Sequence, residues 1–244
     1  MLRDKVLRES RGRAVEGSQA MTIDGTLSKV ALLLLVVVGC AAFTWSKLDG
    51  GMNLAGANTW MMGGGIAGFV LCLIISFKPT MAPVLAVPFA VCEGLLLGAV
   101  SAVYRYAFYD NIVVYAVLLT IGVSFGMFVL WRTGIIQVTD RMRSVVMGAM
   151  GGVFLVYLAT FLLGFAGIEV PMIHGSGPIG IGFSALVLVI VSFMLTIDFD
   201  MIQRMSQGQT PKYMEWYGAF ALLVTLVWLY MEMLRLLGKL SNRD

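Results

Sequence analysis

Charge is scarce in this sequence. Aspartate, glutamate, lysine and arginine make up 13% of it, about half the share carried by soluble domains. Hydrophobic residues make up 59%, and the mean hydropathy is +0.89. Such a composition excludes an ordinary soluble domain and describes a polytopic membrane protein, with the lipid bilayer as its first partner. Histidine is limited to His174, which lies in a loop, so no histidine-based metal site is expected. Cys40, Cys72 and Cys92 all fall inside apolar runs and read as small buried residues, not as a disulfide framework or a zinc site. The net charge of +3 is too small for a nucleic-acid groove. There is no Ser/His/Asp set, no His-Glu-x-x-His and no Walker loop, so an enzyme is not expected and no cofactor is called for. Gly180 and Gly182 lack the preceding strand of a dinucleotide fingerprint. An intramembrane aspartyl protease would need aspartates on two helices, and only one apolar run supplies any.

Long apolar runs are what the sequence has in quantity. Stretches able to cross the ~30 Å hydrocarbon core lie near 27–46, 58–77, 82–103, 111–131, 145–166, 177–199 and 215–238. They predict an all-α integral membrane protein of seven spans. It forms one compact domain over 27–240, after a polar tail over 1–26 that lacks the apolar core of a cleaved signal peptide. Twelve Lys and Arg residues fall in the tail and the second, fourth and sixth connectors, against five on the other side. The positive-inside rule then places the N-terminus in the cytosol and, with seven spans, the C-terminus outside. The basic C-terminus argues the other way, and would be cytosolic if one run were re-entrant. Gly64 and Gly68, Gly94 and Gly98, Gly122 and Gly126, and Gly148 and Gly152 are each four apart, a spacing that lets helices approach closely in lipid.

Against this background a few ionisable residues stand out. Asp198 and Asp200 close the sixth run, Glu93 sits in the third, and Glu232 with Arg235 lies late in the seventh. Acids within lipid are rare unless they face a protein interior or water, so Asp198, Asp200 and Glu93 are the candidates for an ion pathway or pH sensor. Asp198 and Asp200 are about 200° apart on a helix and cannot chelate one ion together. Asp200 and Arg204 can pair at four residues' spacing, leaving Asp198 to another helix or water. Glu232 and Arg235 can satisfy each other and read as a supporting ion pair.

The order and spacing of several segments carry a resemblance. Leu195-Thr196-Ile197-Asp198-Phe199-Asp200-Met201-Ile202 resembles the sixth helix of the Bax inhibitor motif transmembrane family, in which an aromatic residue precedes a key aspartate. The segment Glu215 to Gly238 is similar to that family's closing helix. With Ile74 to Pro79 and Pro178 to Ser184, the pattern looks closest to the bacterial Bax inhibitor-like branch, over about Lys29 to Leu240. The resemblance implies six helices around a central seventh in a plasma membrane. It also implies a pH-gated calcium leak, in which an aspartate on the sixth helix shares a proton with one on the seventh. Asp200 matches the sixth-helix position, near a cytosolic constriction, and is the candidate calcium ligand. The seventh-helix position falls on Thr225, which cannot hold the second charge, and the basic residue some members carry in the second helix is missing. The family also includes members assigned a non-conducting role, regulating a membrane protease or another membrane complex.

Glu93 is singled out by the residues alone. Near the midplane it pays a large desolvation cost when ionised. Pro79, Pro83 and Pro88 precede it and remove backbone donors, which can kink the helix and free carbonyl oxygens. With Thr225 in place of an acid, Glu93 together with Asp198 or Asp200 is the expected substitute for the family's carboxyl pair.

Overall fold

The structure is a computed structural model that describes residues 20–48, 54–108, 111–165 and 175–242. Most of the expected polar tail, together with His174 and Arg243, lies outside the described residues. In lipid a backbone has only itself to bond with, so each apolar run becomes a helix. Among the described residues there are seven: α1 (Ile23–Leu48), α2 (Leu54–Phe77), α3 (Ala82–Ala107), α4 (Ile112–Arg132), α5 (Asp140–Phe165), α6 (Pro178–Gln207) and α7 (Met214–Ser241). All seven are long and apolar enough to cross a membrane. A 3-10 turn, Pro79–Met81, leads into α3. Pro83 falls in the first turn of α3, where a missing N–H costs nothing, and only Pro88 lies inside the helix.

The largest departure from the expected spans is at α6, which continues past residue 199 to Gln207 and ends at Gly208. No glycine or proline interrupts this stretch, and the Asp200–Arg204 ion pair spans one of its turns. The two aspartates are therefore inside a helix and not at its C-terminus.

α7 is the centre of the bundle and packs against α1, α3, α4 and α6. Its buried residues run from Glu215 to Lys239. α2 packs chiefly on α3, in a second row, and α5 packs on α6. Two of the glycine pairs make the close approaches that their spacing allows. A Cβ on Gly64 would stand 2.8 Å from the Cys92 carbonyl, and one on Gly94 would stand 2.6 Å from that of Val37. Gly68 and Gly98 continue the same two seams, against α3 and α1 respectively. Gly122, Gly126, Gly148 and Gly152 have nothing within 4 Å of where a Cβ would be, so α4 and α5 turn these small residues outward.

One end of the bundle is tied by contacts between segments far apart in sequence. The Met21 amide donates to the Thr210 carbonyl at 2.8 Å. The Thr22 amide and hydroxyl both donate to Glu215 Oε1 at 3.0 Å, and Lys29 pairs with the other carboxylate oxygen. Arg204 reaches the Val138 carbonyl. The start of α1 and the α4–α5 and α6–α7 connectors therefore share one end, as the alternation of seven spans requires.

Candidate functional site

The two aspartates on α6 differ in every respect that matters electrostatically. Asp198 is 3% exposed and faces α7, where the Thr225 hydroxyl lies 2.5 Å from its Oδ2. No cationic group pairs with it among the described residues. The Thr225 hydroxyl also lies 3.3 Å from the carbonyl of Ala221, one turn back on its own helix. Two hydrogen-bond patterns are thus available. The hydroxyl can donate to an ionised Asp198, or it can accept from a protonated Asp198 while donating to Ala221. Both charge states of the carboxyl keep a partner without any movement of backbone.

Asp200, about 200° round the helix from Asp198 and so near the opposite face, is half-buried and doubly neutralised. Its Oδ2 accepts from Arg204 Nε at 2.6 Å and from Arg143 Nη2 of α5 at 2.9 Å. The expected Asp200–Arg204 pair is present, and Arg143 adds a tie between α5 and α6. A calcium ion at Asp200 would have to displace two guanidinium groups. The residue that faces Thr225 is Asp198, whereas the resemblance set Asp200 opposite that position. Phe199, between the two acids, packs its ring against Phe128 and Trp131 of α4 with centroids 5.4 and 5.7 Å away.

Glu93 does not join them. Its Oε1 lies over Gly68 of α2, where a Cβ would stand 2.9 Å from it. α3 and α6 share no packed seam. The expected pairing of Glu93 with Asp198 or Asp200 is not formed: its carboxyl lies on the side of α3 that packs against α2, over Gly68.

At the other end of α7 the charges are paired. Glu232, fully buried, accepts from Arg235 Nη1 at 2.7 Å and from the Tyr157 hydroxyl at 3.1 Å. Arg235 also bonds to Tyr157, and its guanidinium stands 4.7 Å over that ring. One turn on, buried Lys239 donates at 2.9 Å to both the Gly180 carbonyl and Ser184 Oγ. Between the two ends Val187, Val191 and Leu195 of α6 and Leu229 of α7 are all fully buried. Sequence reasoning missed Tyr157, Arg143 and Lys239. Only Lys239 carried a local signal, four residues after Arg235 on the same face of α7. Among the described residues no three His, Cys, Asp or Glu side chains are grouped to hold a metal ion.

A seven-helix membrane bundle built around its last helix, with a lone carboxyl buried between the sixth and seventh, defines the class of protein. The family described as Bax inhibitor 1 like matches residues 4–242, nearly the whole chain, and the chain belongs to that family. No curated protein and no solved structure matches it.

Proposed function

We propose that the chain is a pH-sensitive cation leak, with Ca²⁺ as the foremost permeant ion and the Asp198–Thr225 pair as its gate. The observation that carries this reading is a buried carboxyl with one hydroxyl partner and no cation, in a setting that satisfies both of its charge states. Such a carboxyl changes charge only by exchanging a proton or receiving a cation, and both act on the same two oxygens. Hard cations take oxygen ligands, which is what Asp198, Thr225 and the Ala221 carbonyl present. The 3% exposure of Asp198 supports reading this conformation as the closed one. The excess of Lys and Arg at the end that holds Lys29, Arg143 and Arg204 supports a cytosolic orientation of that end, and the resemblance to the bacterial branch supports a bacterial inner membrane.

The competing reading is a non-conducting regulator that binds a membrane protease or another membrane complex. The open glycines of α5, Gly148 and Gly152, favour it, because small residues four apart on an outward face suit a partner helix. Calcium flux into vesicles carrying the purified protein, measured against pH, separates the two. A leak predicts flux above protein-free vesicles, with a pH dependence that Asp198→Asn removes. Flux equal to that of protein-free vesicles at every pH favours the regulator.

A further inference from the structure

Among the described residues, Glu93 is the acid deep within a span that neither the proposed gate nor an ion pair employs. It stands eleven residues beyond Ala82, the start of α3, about 16 Å at 1.5 Å per residue and near the middle of the ~30 Å hydrocarbon core. Two contacts fix its level against α7. Phe89 meets the Phe220 ring with centroids 5.0 Å apart, and the Ser101 and Tyr230 hydroxyls lie 2.7 Å apart. α3 and α7 therefore run parallel, and Glu93 is level with residues 222–224, within one turn of Thr225. Glu93 and Asp198, two carboxyls without a counter-ion among the described residues, thus lie at one depth on different neighbours of α7.

No hydrogen bond from a described residue reaches Glu93 either. The titratable groups near it are thiols. Cys72 of α2 and Cys92 of α3 lie within electrostatic range of its carboxyl, and Cys40 of α1 acts in turn on Cys92. The Cys72 thiol is engaged with Ser76. At this level α7 carries Leu222, Leu223 and Val224, none of them charged. An ionised carboxyl in hydrocarbon is not sustained without a cation. A metal ion would want several oxygen ligands, and among the described residues no three His, Cys, Asp or Glu side chains are grouped to hold one. A proton needs one oxygen only. Asp198 is 3% exposed, whereas Glu93 is half-buried, and its unbonded oxygens keep accessible surface at mid-span.

We propose that Glu93 is a proton-binding site of its own, reached from the hydrocarbon and not through the α6–α7 seam, and is the carboxyl that hydrophobic carbodiimides modify. The protonated carboxyl adds across one C=N bond of the reagent: its oxygen bonds to the central carbon and its proton goes to nitrogen. With no water or amine at hand, the acyl group then shifts from oxygen to the neighbouring nitrogen. The product is an N-acylurea that holds every atom of the reagent, and nothing is oxidised or reduced. This inference does not depend on the chain conducting ions.

Dicyclohexylcarbodiimide, added at neutral pH to the full chain in phosphatidylglycerol nanodiscs and followed by peptide mass mapping, tests it. The wild type is expected to take up about one reagent per chain, on Glu93. A water-soluble carbodiimide at equal concentration is expected to label Glu93 at least tenfold less. Glu93→Gln, which keeps the shape of the side chain, should lower uptake of the hydrophobic reagent at least tenfold. A second readout needs no reagent. The infrared carbonyl band of a protonated carboxyl should be present in the wild type and reduced in Glu93→Gln. The proposal is overturned if Glu93 stays unlabelled, if Asp198 is labelled as heavily, or if the two reagents label Glu93 equally. A carbonyl band that Glu93→Gln leaves unchanged overturns it as well.

Discussion

The two ends of the α6–α7 seam treat charge in opposite ways. Near the C-terminus of α7, Glu232 Oε2 is paired with Arg235 and Tyr157 while its Oε1 has no partner, and Lys239 donates to Ser184 and Gly180. At the opposite end Asp198 has a hydroxyl and, among the described residues, no counter-ion. A paired buried charge can only be broken, at considerable cost, and so it fixes the packing of α5, α6 and α7. A lone carboxyl with two available hydrogen-bond patterns keeps a partner in either charge state. The same contrast appears within a single turn of α6, where Asp200 is held by two arginines and Asp198 by none.

Four substitutions test that contrast. The largest effect on stability is expected near the C-terminus of α7: Glu232→Ala leaves Arg235 without its acid and should cost about 3–5 kcal/mol, read as a fall in thermal midpoint in detergent. Thr225→Val comes next. It removes the one donor to a buried carboxyl and should cost about 1–3 kcal/mol, with Thr225→Ser restoring most of the loss. A midpoint unchanged in Thr225→Val would show that Asp198 is satisfied by something other than this hydroxyl. Asp198→Asn keeps both shape and hydrogen bond, so its stability should change by less than about 1 kcal/mol while the pH dependence of calcium flux flattens. Retained pH dependence would move the sensor elsewhere. The smallest effect is expected for Arg204→Gln, about 0–1 kcal/mol, because Arg204 is 54% exposed and Arg143 still holds Asp200.

Much of the fold was legible in composition alone, since an apolar run of span length has only one way to satisfy its backbone in lipid. The acids were legible as candidates for the same reason, each being costly where it stands. Their partners were not. Whether Asp198 or Asp200 faces α7 depends on a rotation of about 200° and on where α6 ends, and neither can be read from hydropathy. Glu93 was misdirected by the same gap: its depth could be counted, but its azimuth was set by Gly68, a residue on another helix. Glycine spacing likewise predicted four close approaches and could not say that Gly122 and Gly148 face outward.

The carboxylate of Glu215 lies in the first turn of α7, yet it receives the Thr22 amide and hydroxyl and the Lys29 ammonium at the start of α1. Gly25 passes it so closely that a Cβ there would stand 2.5 Å from the carboxyl carbon. During synthesis the first of these helices leaves the ribosome long before the last, and chains fold in that order where they can. Here the helix made last is the one that belongs in the middle. The four helices that pack on it, α1, α3, α4 and α6, are therefore made before it, with α1 lacking the acid that completes its first turn. The arrival of α7 both fills the middle and closes the chain on its own beginning.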